Sequence, residues 1–353
     1  MLFRSYAAEE RYYGPGDEPI MVNGRHCLKR EYDAAGNILA EESYGTTGNI
    51  LTTGQGYATV RRTYDGEKRA TSESYFDAEG QPVTTRNGYA AMVLGYAEGN
   101  RVTSRSYFGE DGNRTAVGGV HQVIYAYNGA GAVMTESYFD ENGNRVKNNR
   151  GYAAVRYTYD GNGKVEDTAY FDTEGQQIVI GTGYATIRTQ RDERGNVLRE
   201  DYYDADGKLQ ENRNYYCTIV RTFNERNQVT SLEYRDDTDA PVKVRNLGYA
   251  RVEYEYDENG NKTAEKYFGP TGMPVRPKAR RSAAVKTWEY DEAGRLVSER
   301  YYDAEGNLFA NTSNYAGIDN WYSEDGTVIE TTDRKSTRLN SSHPTTSRMP
   351  SSA

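Results

Sequence analysis

GYATVRRTYDGEKRATSESYFDAEGQPVTTRN, residues 56–87, decides the fold. Its first part, YATVRRTY, alternates: Val60, Arg62 and Tyr64 fall on one side, Thr59, Arg61 and Thr63 on the other. That is the period of a half-buried strand. Its second part, RATSESYF, puts Thr71, Glu73 and Tyr75 on one face, and both parts favour the Thr, Tyr and Val that suit a pleated surface. A turn containing Asp65 joins them, and a second turn, DAEGQ, leads into a short extended piece. Asp accepts backbone hydrogen bonds at a turn entrance, and Gly supplies the positive-φ residue of a bulged hairpin loop. The stretch predicts a hairpin followed by a turn that hands the chain onward. A lone hairpin is marginal in water, so this one needs neighbours.

The neighbours lie on both sides. An aromatic landmark recurs at Tyr12, Tyr44, Tyr75, Tyr107, Tyr138, Tyr170, Tyr202, Tyr234, Tyr267 and Tyr301, in steps of 31 to 34 residues. Another falls at Tyr32, Tyr64, Tyr96, Tyr127, Tyr159, Phe223, Tyr256 and Tyr290, and a third, in GYA or NYA, at Tyr57, Tyr89, Tyr152, Tyr184, Tyr249 and Tyr315. The turns repeat too: DAAGN at 33–37, DENGN at 257–261 and DEAGR at 291–295 after the first strand, then DENGN from Asp140, DADGK from Asp204 and DAEGN from Asp303 after the second. The expected fold is all-β: an elongated tandem β-hairpin repeat array, a β-solenoid or spiralling single sheet, of about ten repeats of ~32 residues. Its tyrosines should stack into ladders, each cross-strand pair contributing roughly 0.5–1 kcal/mol.

Composition fits a thin array. Tyr occurs 33 times and Gly 36 times in 353 residues, while hydrophobic residues reach 36% and mean hydropathy is -0.91. Low hydropathy alone would suggest disorder, but an aromatic share of 12% argues against it. The net charge of -9 argues against nucleic acid as a partner. Cys27 and Cys217 stand far apart and suggest neither a disulfide framework nor a zinc site. No apolar run is long enough to span a membrane. Outside the tail the only histidines are His26 and His121, and no nucleophile, zinc or phosphate-loop motif occurs. We therefore expect no enzyme and no cofactor. DENGN and DADGK resemble the opening of a calcium loop, but the later bidentate Glu is missing and turn capping explains the Asp, so no metal is expected.

Two families share these motifs. WEYDEAGRLVSERYYDAEG, residues 288–306, resembles the YD repeat of Rhs and teneurin proteins. That resemblance implies a long spiralling sheet, serving as a shell or scaffold within a larger toxin or surface protein. SYFDAEGQPV (74–83) and SYFDENGNRV (137–146) are similar to cell-wall-binding repeats of Gram-positive surface proteins and clostridial toxins. That similarity implies a bacterial cell-surface or extracellular location, and cell-wall or host polysaccharide as partner besides other domains of the same polypeptide.

The aromatic doublets put one ring on each strand face. The candidate ligand-stacking residues are Tyr75, Phe76, Tyr107, Phe108, Tyr138, Phe139, Tyr170, Phe171, Tyr202 and Tyr203. The leading function is a non-catalytic module that binds wall or host glycans or spaces an attached domain; the alternative is a scaffold or shell segment with no ligand of its own. The chain opens in mid-repeat, which points to a fragment. Repeats occupy 1–332. Residues 333–353, DRKSTRLNSSHPTTSRMPSSA, share nothing with them and resemble a translated sequencing adapter, so this tail is expected to be non-native and disordered.

Overall fold

Asp65 closes the first turn of the quoted repeat. Its N–H donates to Arg69 O while Lys68 N–H donates back to Asp65 O, and its Oδ1 accepts from Glu67 N–H and Arg69 N–H at 2.9 and 3.0 Å. Lys68 sits at φ 65°, where Gly36 and Gly294 stand in other repeats. The register slips by one residue between Thr63 and Tyr64, so the hairpin carries a bulge. Asp33, Asp160, Asp192, Asp257 and Asp291 make the same two Oδ1 bonds. Backbone donors at Asp33, Asp65 and Asp291, and the Asn196 and Asn261 side chains with backbone donors at Asp192 and Asp257, hold these carboxyls below their ordinary pKa.

The computed structural model describes residues 8–323, 326, 328–334, 346 and 347. It divides into two compact units, Met1–Lys164 with Thr168–Ile180 and Val165–Asp167 with Gly181–Ala353. In the first, β1 (Glu9–Arg11) precedes the hairpins β2 (Cys27–Tyr32) and β3 (Ile38–Tyr44), β4 (Thr59–Tyr64) and β5 (Ala70–Phe76), β6 (Ala91–Ala97) and β7 (Arg101–Phe108), β8 (Gln122–Tyr127) and β9 (Val133–Phe139), then β10 (Ala154–Tyr159). The second holds β12 (Thr186–Arg191) and β13 (Val197–Tyr203), β14 (Thr218–Phe223) and β15 (Val229–Arg235), β16 (Arg251–Tyr256) and β17 (Lys262–Phe268), β18 (Val285–Tyr290) and β19 (Leu296–Tyr302), β20 (Gly317–Tyr322) and β21 (Val328–Arg334). The strand Val165–Phe171, β11, is shared between them. Each unit is an antiparallel array in which every hairpin pairs with the next. The all-β hairpin array read from the sequence is the fold. No described helix is long and apolar enough to cross a membrane.

Successive hairpins share only three residue pairs, such as Ala40↔Arg61, Glu41↔Val60 and Glu42↔Thr59. Beyond them the strands diverge, and a phenol bridges the gap. Tyr64 Oη donates to Ile38 O at 2.9 Å, and Tyr96, Tyr127, Tyr159, Tyr256, Tyr290 and Tyr322 each donate likewise to the first strand residue or its neighbour one repeat back. These landmark tyrosines therefore tie repeat to repeat through a carbonyl that lacks a ladder partner.

After the second strand the chain doubles back. Val83 N–H donates to Tyr75 O, Tyr75 N–H to Ala90 O, and a third turn at 85–89 lays Tyr89 over the sheet. Its ring packs on Tyr75 and Tyr107 at centroid distances of 5.9 and 4.9 Å. The alanine of the GYA triplet is the most enclosed position: Ala58, Ala90, Ala153, Ala185, Ala250 and Ala316 are at most 2% exposed. Cys217 takes that place in one repeat, buried, with its thiol pushed up to about 12 by burial.

One expectation is corrected. Tyr44 is not the equivalent of Tyr75. Ser43, not Tyr44, donates to the GYA alanine carbonyl (Ala58 O) and accepts from Leu51 N–H, so Ser43 holds the ladder position and Tyr44 lies on the opposite face beside Phe76's equivalents. β21 reaches Arg334 and pairs with Thr346–Ser347. The rest of the expected disordered tail, 335–345 and 348–353, lies outside the described residues.

Candidate functional site

The doublets are built into the array rather than held out from it. Their first rings alternate with the GYA rings. In the second unit the run Tyr184, Tyr202, Tyr216, Tyr234, Tyr249 and Tyr267 continues with centroid distances of 4.9, 5.7, 4.8, 6.2 and 4.8 Å. Tyr202, Tyr234, Ile219 and Val244 form its buried core. In the first unit Tyr57, Tyr75, Tyr89 and Tyr107 make one run, and Tyr138, Tyr152 and Tyr170 another. Phe76, Phe108, Phe139, Phe171 and Tyr203 point to the other face and are half-buried. Cations from the paired strand lie over three of them: Arg61 over Phe76 and Arg156 over Phe171, both at 4.6 Å, and Arg188 over Tyr203 at 5.4 Å.

Beside the rings runs a stripe of charge that sequence reasoning did not single out. Arg30 contacts Glu10 at 3.2 Å and Glu41 at 3.1 Å; Arg62 contacts Glu41 and Glu73, each at 2.8 Å. Every member is one strand from the next, so five half-exposed residues of alternating sign form one ladder. Burial works to raise the Glu41 pKa, and hydrogen bonds and charge from Arg62 and Arg30 outweigh it, so the carboxyl lies below its ordinary value. The signal was in the sequence as a Glu two residues before six of the ladder tyrosines: Glu10, Glu73, Glu136, Glu200, Glu265 and Glu299. Arg191 was missed for another reason. It stands where other repeats have Tyr, yet its guanidinium donates to Val165 O as the phenols do.

One concave surface stands out in the second unit, along the third turns. A groove of about 850 Å³ is lined by Tyr184, Tyr202, Asn212, Arg213, Tyr215 and Arg245, among others. The turns hydrogen-bond in sequence: Arg213 N–H to Thr182 O, Arg245 N–H to Asn214 O and Lys278 N–H to Leu247 O. Tyr215 takes the place of Gly183 and Gly248 in the neighbouring turns, and keeps their left-handed backbone at φ 66°. Its ring is 46% exposed, with Arg245 over it at 5.4 Å and donating to Tyr215 Oη at 3.2 Å. Asn246 donates to the Asn214 side chain at 2.7 Å. Arg213, Arg245 and Asn246 are exposed.

No family model matches this chain, and no curated protein does. Solved structures do. The Photorhabdus luminescens Tc holotoxin pore matches at 13% identity and a TM-score of 0.45, over 89% of this chain and 16% of that one. The crystal structure of TcdB2-TccC3-TEV gives the same values. That of TcdB2-TccC3-Cdc42 matches at 12% identity and 0.45, over 92% of this chain and 17% of that one. The chain thus spans less than a fifth of the length of the structures it matches.

Proposed function

We propose that this chain is a non-catalytic scaffold, a run of hairpin repeats that spaces or walls in other parts of a larger cell-surface or secreted protein. One observation carries the reading: the aromatic rings that a binding module would present are consumed between repeats. The first ring of each doublet stacks on GYA rings, and cations from the paired strand lie over several of the second. Stability built from such nearest-neighbour contacts lets length vary without a change of fold. The test is deletion of one period, residues 56–87, with dyes on the exposed turn residues Asp17 and Asn142. The scaffold reading expects a folded protein whose dyes approach by about 10 Å, two strand spacings. Loss of all β structure, or an unchanged dye distance, would refute it.

A second reading, a module that binds cell-wall or host glycans, is favoured by the groove at Tyr215. Co-sedimentation of the chain with cell-wall preparations tests it, and absence of retention on every wall or glycan tried counts against it.

A further inference from the structure

Charge is unevenly shared among the parts of the repeat. The third segments, the stretches from the residues after the second turn to the GYA tyrosine, carry Arg25, Arg86, Arg114, Arg145, Lys147, Arg150, Arg213, Lys243, Arg245, Arg276, Lys278, Arg280 and Arg281. Glu211 is their one acidic residue. In a chain of net charge -9, that gathers cations along one series of turns. Arg213, Arg245 and Lys278 hold the same place in three consecutive turns, as their backbone bonds to the preceding turn show. They form a row spaced by about 10 Å, one hairpin apart. None of the three makes an ion pair among the described residues. Several strand arginines, Arg30, Arg62, Arg199 and Arg221, are paired to carboxylates, while others, such as Arg61 and Arg156, lie over rings.

Tyr215 adds a second, independent observation. It is the one aromatic residue with positive φ among the described residues. A bulky side chain there costs free energy that the glycine of neighbouring turns avoids. The strain holds a ring out at the mouth of the groove, with Arg245 stacked on it. Asn212, Asn214 and Asn246 supply amides around the same groove. An exposed ring suits the apolar face of a sugar, amides suit its hydroxyls, and a guanidinium pairs two-pronged with a carboxylate or sulfate.

We propose that the groove at Tyr215 and the row Arg213, Arg245 and Lys278 bind a linear acidic polysaccharide, its charged groups meeting the cations while a sugar ring stacks on Tyr215. This inference rests on the glycan-binding reading and names the ligand class. It explains both the cations that have no carboxylate partner among the described residues and the retention of a strained tyrosine, where a purely structural turn would do better with glycine.

The experiment measures binding of the whole chain to polygalacturonate, dextran sulfate, neutral dextran and a short DNA duplex by affinity electrophoresis and calorimetry. Expected are binding to the two acidic polysaccharides and about 10-fold weaker binding in Arg213→Gln and in Arg245→Gln, the loss of one charge-assisted contact. Tyr215→Gly should also weaken binding, while its melting temperature stays equal or rises. Tyr215→Phe should retain most of the affinity. If neutral dextran binds as well as the acidic polymers, the acidic class is wrong while glycan binding stands. Binding to no polysaccharide sinks both. DNA binding that matches polygalacturonate and ignores Tyr215→Gly would reduce the surface to nonspecific charge and overturn the proposal.

Discussion

The Tyr184–Tyr267 stretch of the second unit and the opening hairpins of the first use one backbone and two different cores. From Tyr184 to Tyr267 the ring positions are filled without a break, and the centre is apolar: Tyr202, Ile219, Tyr234 and Val244. Around β2 to β4 the same positions hold Arg25 and Ser43, and a cavity of about 170 Å³ opens between them, lined also by Glu41, Tyr57, Leu28 and Val60. Arg25 Nε is enclosed there without a hydrogen-bond partner. The missing rings coincide with the ladder Glu10, Arg30, Glu41, Arg62 and Glu73. The repeat backbone thus tolerates either chemistry, because turns and strand pairing fix its geometry and side chains need only fill the face.

The contrast is broken most forcefully at a ring. Tyr234→Ala should cost about 3 kcal/mol or more, the scale for truncating a buried aromatic side chain. Hydrogen exchange should show the loss centred on β13 to β16, with β2 to β5 still protected. The same stretch should be sensitive to alkali. Burial pushes the Tyr254 phenol up to about 12 and Tyr234 in the same direction. A raised folded-state pKa contributes stability that is whole below about pH 10, where unfolded tyrosines begin to titrate, and is lost as pH climbs through the folded value. Tyrosinate absorbance should therefore rise together with unfolding. Titration of these rings while the sheet stays intact would contradict the enclosed ladder.

At the charge ladder the effect should be smaller and opposite in pH. Glu41→Gln leaves Arg30 and Arg62 each short of a carboxylate that is only partly screened from water, at a cost of about 1–2 kcal/mol, between exposed and buried pairs. Because the Glu41 pKa is lowered in the folded state, its contribution is present above about pH 4.3 and lost as pH falls through the folded value. Acid titration of the variant should lack that portion of the destabilisation, as read by urea unfolding at stepped pH. An identical acid limb in variant and parent would remove the ladder from the account.

Tyr64→Phe should cost about 1–2 kcal/mol, since the Ile38 carbonyl loses its donor. Phe223 at the equivalent place shows that the fold accepts the change. The smallest effect should come from repair: Ser43→Tyr fills the ladder gap and is expected to raise stability by about 1 kcal/mol. A fall in stability would mean that the cavity's polar lining, Arg25 and Glu41, cannot accept a ring.

Much of this was legible in the residues. Period-two alternation and Asp-x-x-Gly turns act over five or six residues, so they announce strands, hairpins and the ~32-residue repeat directly. The identity of the ring that faces inward was not legible at Tyr44, since a doublet reduced to Ser43-Tyr44 still contains one tyrosine in nearly the right place. The bridging role of Arg191 was hidden because a guanidinium and a phenol look nothing alike in sequence, although both reach the same carbonyl.

What the sequence determined by itself is therefore the all-β class, the repeat and its turns, because each is set by bonds between residues close along the chain. Only the tertiary structure decided the register of Ser43 against Ala58, the Glu10 to Glu73 ladder and the row of Arg213, Arg245 and Lys278 beside Tyr215. Those neighbours lie 11 to 33 residues apart, and only strand pairing, within a hairpin and from one hairpin to the next, brings them side by side.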